Sequence, residues 1–500
     1  MKLGELVAGR AGEVGALGVA ADLEIAALTH DSREARPGSL FFCVPGFQAD
    51  GHDFAGRAVA AGAVALVCER ELGLGVPELV VPSVRAAMGP LAARFYGDPS
   101  AQLRVVGVTG TNGKTTTAFL LRHLLEGTGE RTGLLGTVKA VIGGREREVR
   151  RTTAEAIDLQ GDLRAMREGG DRACAMEVSS HALELGRVSG TRFAAAIFTN
   201  LTQDHLDFHA TMEDYFAAKR LLFAPAEGPA PGASVVNVDD PYGRRLAGEL
   251  EGAVTFALED PAADYRAGEV ICGPRGCGFR LITRGGERPA RVALPGRFNV
   301  CNALGALAAA HVLGGELDAL VAALARPIRV PGRLEPVRAG QDFAVLVDYA
   351  HTPDSLANVL GAARELLGGE GRLLCVFGAG GDRDRGKRPL MGEISGRLAD
   401  LTIVTSDNPR SEDPEEIVRE VLAGVAPGDG ASVRVQVDRR AAIELALELA
   451  RAGDIVLIAG KGHEQGQELA GGRRVPFDDA TVAREALGRL VGTAAGGGRG

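Results

Sequence analysis

Tryptophan is absent from this sequence, and tyrosine occurs only five times in 500 residues. No apolar run approaches the roughly 20 residues that a membrane-spanning helix needs, so no membrane role is expected. The opening stretch MKLGELVAGRAGE has no apolar core of the kind a secretory leader carries. A basic excess is missing as well: 56 Lys and Arg stand against 65 Asp and Glu, a net charge of −9. Nucleic-acid binders carry a basic face, so that class is set aside, and the short run GREREVRR reads as a solvated loop. Cysteine is sparse and scattered, at Cys43, Cys68, Cys174, Cys272, Cys277, Cys301 and Cys375, mostly in apolar runs. These read as small buried hydrophobes in a reducing compartment, so a cytoplasmic protein is expected. Only Cys272 and Cys277, in CGPRGC, lie close together. A metal site would need two more ligands nearby, so this stretch is expected to be a simple Gly-Pro turn.

What is present is glycine, 70 residues of it, against 17 Phe. Tight turns that bring backbone close to ligands explain that, and so does a GC-rich coding sequence. A chain of 500 residues with 45% hydrophobic content is too long for one core and predicts about three folded domains. Segment 1–98 mixes strand signals (SLFFCV at 39–44, AVALVCE at 63–69) with an Ala-rich helical run at 53–62, then a helix over VRAAMGPLAARFY and the breaker GDPS. Segment 99–332 opens on the buried-strand run LRVVGVTG and alternates helices with strands, ending in the turn ARPIRVPGR. Segment 333–500 repeats the alternation with AVLVDYA, RLLCVFG, LTIVTSD, SVRVQVD and DIVLIAG as strands, and TAAGGGRG is expected to be a frayed tail. Such alternation predicts an α/β protein with mainly parallel sheets and crossover helices.

The strongest chemical signal is VTGTNGKTTT at 108–117. A buried strand runs through a Gly-rich turn into a helix, so backbone N–H groups and the helix N-terminus face an anion. Lys114 suits the terminal phosphates of a nucleotide and Thr115 suits Mg²⁺. Val108 stands where the strict pattern has its first Gly, so this is a shortened loop, Gly110-x-x-Gly113-Lys114-Thr115. In MEVSSHALELGRV, Glu177 ends another strand of the same sheet, where a carboxylate can hold Mg²⁺ beside a triphosphate. In FTNLTQDHLDFHATMEDYFAAKRLLF, Asp204, His205, Asp207 and His209 form a dense set of metal ligands or proton carriers, with zinc as the alternative to Mg²⁺. Lys219 follows on a helix, where a lone lysine ordinarily faces solvent.

GTNGKTT, EVSSHAL, FTNLTxDHLDFH, VNxDD, FNVxNALGA, PGRLE, DYAHTPDS, FGxGGDRDxGKRP, DNPR and AGKGHE occur in this order over about residues 29–480. This series resembles the Mur ligase family, and within it the branch that adds the third residue of the peptidoglycan precursor peptide. The resemblance implies three domains: a UDP-substrate domain over 1–98, a phosphate-loop ATPase domain over 99–332 and a Rossmann-like doubly wound ligase domain over 333–500. It implies ATP and Mg²⁺ as cofactors and UDP-N-acetylmuramoyl-L-alanyl-D-glutamate and meso-diaminopimelate as partners of a monomeric enzyme. ATP would phosphorylate the γ-carboxylate of the D-glutamate, and the incoming amine would attack the acyl phosphate.

By the same resemblance, ATP is held by Gly110, Thr111, Asn112, Gly113, Lys114, Thr115 and Thr116, together with Asn299, Asn302, Arg333, Asp348 and His351. Thr115, Glu177, His205 and Lys219 (as a carbamate) are the metal ligands, and Lys114, Lys219 and His205 the catalytic set. Ser32, Thr152, Thr153, Ser179 and Arg187 contact the UDP substrate. Ala154 stands where the family usually has Pro, and Leu185 where some members carry Gln. Arg383, Asp407, Asn408, Pro409, Arg410, Gly460 and Glu464 are the diaminopimelate set, with Arg410 gripping the distal carboxylate and Glu464 the distal ammonium. The alternatives are the lysine-adding branch, a ligase similar to folylpolyglutamate synthase, and a phosphate-loop switch that only hydrolyses nucleotide.

Overall fold

The computed structural model describes residues 1–8, 18–46, 49–206, 208–367, 371–425 and 432–496. Asp207 therefore lies outside the described residues. The chain divides into two compact units, one of Met1–Tyr265 with Leu304–Ala323, the other of Arg266–Ala303 with Leu324–Gly500.

The first unit opens with four parallel strands, Ala27–Thr29, Ser39–Phe42, Ala63–Cys68 and Glu78–Val80, adjacent in sequence order. The Ala-rich run expected as one helix is a 3₁₀ turn, Gly51–Phe54, followed by the helix Ala55–Ala60. Asp50 caps that turn by accepting from the His52 backbone N–H, which sets a tighter start than the Ala content suggests. A second sheet follows in the order Val254–Ala257, Ser234–Asn237, Phe193–Phe198, Arg104–Thr109, Ala173–Glu177, Thr132–Leu135, Ala140–Ile142, Arg145–Arg147. The pairings from Val254–Ala257 through Thr132–Leu135 are parallel, and the last two are antiparallel. Helices on both faces bury the central strands, which is why Val105, Val106 and Val108 form an unbroken apolar run rather than an alternating one. The strand Arg104–Thr109 lies between Phe193–Phe198 and Ala173–Glu177, so three motif-bearing loops leave neighbouring strands at one sheet edge.

In the second unit a sheet runs in the order Glu335–Pro336, Ala344–Asp348, Ile455–Ala459, Leu373–Phe377, Leu401–Val404, Ser432–Val435, parallel except for its first pair. The strand residues divide by parity. Leu373, Cys375 and Phe377 enter one core with Leu356, Leu360 and Val421, while Leu374 and Val376 enter another with Ile443, Ala446 and Leu487. Helices thus cover both faces, and the unit is doubly wound. The antiparallel hairpin of Gly466–Leu469 and Arg473–Pro476 was not signalled by the alternation.

Two expectations are corrected. Cys272 and Cys277 form a disulfide, with Cα atoms 4.1 Å apart, across the turn between the strands Tyr265–Gly273 and Gly276–Thr283. The turn is there, but the hairpin brings the two side chains into bonding reach, which spacing alone does not reveal. The first half of the expected tail is helical through Gly496, continuing the helix that starts at Asp479, since backbone hydrogen bonding carries an established helix onward at little cost; residues 497–500 lie outside the described residues.

Arg439 and Asp479 form a fully buried pair, Nε to Oδ1 at 2.8 Å and Nη2 to Oδ2 at 2.7 Å. The guanidinium also donates to the carbonyls of Ser406 and Ala459, joining two strand ends. Asp479→Asn strands a buried cation. It is expected to destabilise the second unit by about 3–5 kcal/mol, read as a lower urea midpoint at unchanged slope.

Candidate active site

The loop after Arg104–Thr109 turns at Gly110, with φ +147°, and at Gly113, with φ +88°. A β-carbon on Gly110 would sit 1.9 Å from Thr199 Oγ1, so this position must be glycine. The FTN segment braces the loop. Thr199 Oγ1 donates to the Asn112 carbonyl at 2.6 Å, and Asn200 Oδ1 accepts from the Asn112 N–H at 2.9 Å. The helix Lys114–Gly127 then starts on a glycine cap, leaving its first N–H groups toward the loop. Thr116 is buried in that first turn. Lys114 Nζ curls back onto the carbonyls of Gly110 and Thr111, at 2.8 Å each.

Beside this loop, Thr115 Oγ1 donates to Glu177 Oε2 at 2.9 Å. Thr137 donates to the same carboxylate through its N–H at 2.8 Å and its hydroxyl at 3.1 Å. Glu177 is 1% exposed, and these bonds all come from neutral groups. A buried carboxylate next to a hydroxyl, bonded among the described residues by neutral donors, is a hard-oxygen set that a divalent ion completes. The donor set therefore fits Mg²⁺.

Lys219 was expected on a helix, and it lies on Met212–Arg220. It is not solvated, however: it is 1% exposed, donates to the Gly110 carbonyl at 2.9 Å and lies 4.5 Å from the Tyr215 ring centre. Burial first, and the nearby Lys114 second, hold its amine well below the usual lysine range. His205 adopts φ +54° and stacks edge-on with His181, ring centres 4.9 Å apart. Asp204 lies 3.5 Å from His205 Nε2, and His209 is buried against Tyr215. Among the described residues no three of His, Cys, Asp or Glu converge as a metal site, and Asp207, one of the four residues of the zinc alternative, lies outside them.

The substrate set of the first unit falls into two places. Ser32 accepts from the Arg57 guanidinium, Nε at 3.0 Å. Elsewhere Thr153 Oγ1 donates to the Glu177 carbonyl at 3.0 Å and accepts from the Ser179 N–H at 3.1 Å, and Thr152 bonds Thr137. Arg187 pairs with the buried Glu155 at 2.9 Å, an acid not singled out from the sequence. Burial above all holds the Arg187 guanidinium below its ordinary range.

In the second unit, Asp348 accepts from the N–H groups of Leu334 and Ala350, and burial raises its carboxyl above the usual range. Arg333 lies over the Tyr349 ring at 4.9 Å, and His351 Nδ1 contacts the Tyr349 carbonyl at 2.8 Å. Asn299 and Asn302 are buried and bonded to each other at 3.2 Å.

The strand ends of the same unit carry the remaining set. Asn408 Nδ2 donates to Glu464 Oε2 at 2.9 Å, and Arg410 Nε donates to Glu468 Oε2 at 2.7 Å. Arg410 also donates to the Gly381 carbonyl, sits at φ +49° and keeps 23% of its side chain exposed. Gly460, at φ +117°, lets Asp407 approach: a β-carbon there would lie 2.7 Å from Asp407 Oδ2. Gly381 passes so near Pro409 that a β-carbon would lie 1.9 Å from the Pro409 carbonyl. Arg383 stays exposed, its guanidinium on the Asp382 carbonyl at 3.2 Å.

Sequence reasoning missed Lys461. It is fully buried and donates to Asn408 Oδ1 at 2.9 Å and Glu464 Oε2 at 2.8 Å, with Asp407 Oδ1 at 3.5 Å. The available signal was its place one residue after a strand-ending glycine in AGKGHE.

Three family models match the chain: the catalytic domain of the Mur ligase family over 24–96, the Mur ligase middle domain over 108–310 and the Mur ligase glutamate ligase domain over 332–462. A UDP-N-acetylmuramoyl-L-alanyl-D-glutamate–2,6-diaminopimelate ligase of Syntrophomonas wolfei is 47% identical over 93% of this chain and 95% of its own. The ligase of the same name from Streptomyces avermitilis is 48% identical over 96% of each chain. A solved structure of a ligase with that name superposes with TM-score 0.69 at 36% identity, covering 93% of this chain and 95% of its own.

Proposed function

Because the chain belongs to the Mur ligase family, we propose that it is the ATP-dependent ligase joining meso-2,6-diaminopimelate to the γ-carboxylate of D-glutamate in UDP-N-acetylmuramoyl-L-alanyl-D-glutamate. The observation that carries this reading is the 47–48% identity, over more than nine-tenths of the chain, to ligases of that name. We assign residues 1–98 to the UDP substrate, 99–332 to ATP and 333–500 to the amino acid; the order of the three family matches, 24–96, 108–310 and 332–462, supports this division. Among the described residues no helix is long and apolar enough to cross a membrane, and the proposed work on nucleotide-linked precursors is cytoplasmic.

The chemistry is phosphoryl transfer between two anions, followed by amine attack. Positioning and charge neutralisation dominate such a step. The loop N–H groups of 110–113 and Lys114 hold the terminal phosphates of ATP. Thr115, Glu177, His205 and a carbamate on Lys219 hold Mg²⁺, which when bound neutralises charge on the transferring phosphoryl group. Asn299, Asn302, Arg333, Asp348 and His351 hold the nucleoside. Ser32, Thr152, Thr153, Ser179 and Arg187 position the UDP-dipeptide, its γ-carboxylate accepts the phosphoryl group, and the amine displaces phosphate from the acyl phosphate. Arg410 turns from Glu468 to the distal carboxylate of diaminopimelate, with Arg383, Asp407, Asn408, Pro409, Gly460 and Glu464 around it.

ADP release is expected only when both the UDP-dipeptide and an amino acid are present, which separates ligation from simple nucleotide hydrolysis. With both supplied, kcat/KM is expected to favour meso-diaminopimelate over L-lysine. Arg410→Ala removes a charged hydrogen-bond donor, worth about 1.5–3 kcal/mol, so kcat/KM for diaminopimelate should fall roughly 10- to 150-fold. A wild-type preference for lysine, or an Arg410→Ala enzyme with unaltered diaminopimelate kinetics, overturns the assignment.

A further inference from the structure

Lysine and diaminopimelate differ in charge where they differ in structure. The far end of lysine is an ammonium, and that of diaminopimelate is an ammonium plus a carboxylate. A site tells them apart by its own charge as well as by its shape.

At the strand ends of the second unit, Asn408 bonds the Glu464 carboxylate and the Glu468 backbone N–H, and follows Asp407 in the chain. Asn408 Oδ1 accepts twice, from Lys461 Nζ and from the Glu468 N–H, each at 2.9 Å, so its amide nitrogen is turned to Glu464. Lys461 is the one fully buried member of this group and touches two of its carboxylates. Arg410 pairs with the third, Glu468, whose side chain is half exposed.

We propose that Lys461 is a specificity-determining residue: its buried charge offsets Asp407 and Glu464, and so tunes the site for the net-neutral end of diaminopimelate over the cationic end of lysine. This rests on the diaminopimelate reading above. Lys461 acts through the two acids and Asn408 rather than by touching the reacting atoms, so it is a positioning residue as well. Burial works to raise the Glu464 carboxyl, yet Lys461 and Asn408 together hold it below its ordinary range. Glu464 is thus already committed to an internal cation. Without Lys461 the net charge of the site is one unit more negative, beside the buried Asp407, and that charge attracts the extra cation of lysine.

The test is the ratio of kcat/KM for meso-diaminopimelate to that for L-lysine, measured with UDP-dipeptide, ATP and Mg²⁺. Lys461→Met keeps much of the side-chain length and removes the charge; the ratio is expected to fall about tenfold or more. Lys461→Arg keeps the charge and should hold the ratio within about threefold of wild type even where both rates drop. Asp407→Asn removes a negative charge with Lys461 retained and should move the ratio the opposite way, which keeps the proposal testable if Lys461→Met does not fold. Equal losses on both amino acids in Lys461→Met, with an unmoved ratio in Asp407→Asn, overturn the role of Lys461 alone. A wild type that prefers lysine overturns the underlying reading instead.

Discussion

Lys114→Ala is expected to lower turnover about 100- to 1,000-fold, with a much smaller change in the affinity for the UDP substrate. The Lys114 ammonium donates to two carbonyls of its own loop, Gly110 and Thr111. In the proposed reaction that ammonium faces the terminal phosphates of the nucleotide. Its charge matters most when negative charge builds on the transferring group, and the loss should therefore appear in kcat more than in substrate binding. A Lys114→Arg enzyme restores charge but carries a planar fork where the loop holds a point charge, and should recover only part of the rate. The measurement is coupled ADP release at saturating substrates. A drop of only a few-fold in Lys114→Ala would falsify the phosphate-loop assignment.

The legible parts of this protein were those where one residue's environment follows from its immediate neighbours. The run Val105–Val108 is apolar on both faces, so it had to be a central strand, and the glycines after it had to turn. The parity of Leu373 to Phe377 likewise announces a strand covered on both sides. Side chains whose role depends on distant partners were not legible. Lys461 reads as a surface lysine until Asn408, some fifty residues upstream, is folded against it. Glu177 was picked out as a ligand, but the Thr137 that orients it carries no local signal. The same holds for the Arg439–Asp479 pair, for Glu155 and for the disulfide across the CGPRGC turn, where only strand pairing brings the two sulfurs together. Arg410 is an intermediate case. Its strand-end position was foreseen, and its partner Glu468 comes from a hairpin that the apolar pattern does not reveal.

Lys219→Ala is expected to abolish nearly all turnover, and millimolar short-chain carboxylates are expected to restore part of it. A lysine at 1% exposure, bonded to a backbone carbonyl and next to another lysine, is poorly placed to stay a cation. The displacement of its amine below the usual range, by burial first and Lys114 second, favours the neutral form. A neutral amine is the form that adds to carbon dioxide: the nitrogen bonds the carbon, one proton leaves, and the product is a carbamate bearing one negative charge. That places a negative charge beside Lys114, where the neutral amine offered none, and the two groups attract. It also supplies an oxygen ligand of the kind that Thr115 and Glu177 already present. A structural lysine would behave otherwise. Its loss would be rescued by Met, which fills the same volume, and would not respond to added acetate or formate. The deciding comparison is therefore Lys219→Ala against Lys219→Met, each with and without a short carboxylate, alongside the mass of the intact wild-type protein under gentle ionisation. Rescue of the Ala variant by carboxylate, with the Met variant inactive, supports the carbamate. An active Met variant, or an Ala variant at full rate, sinks it.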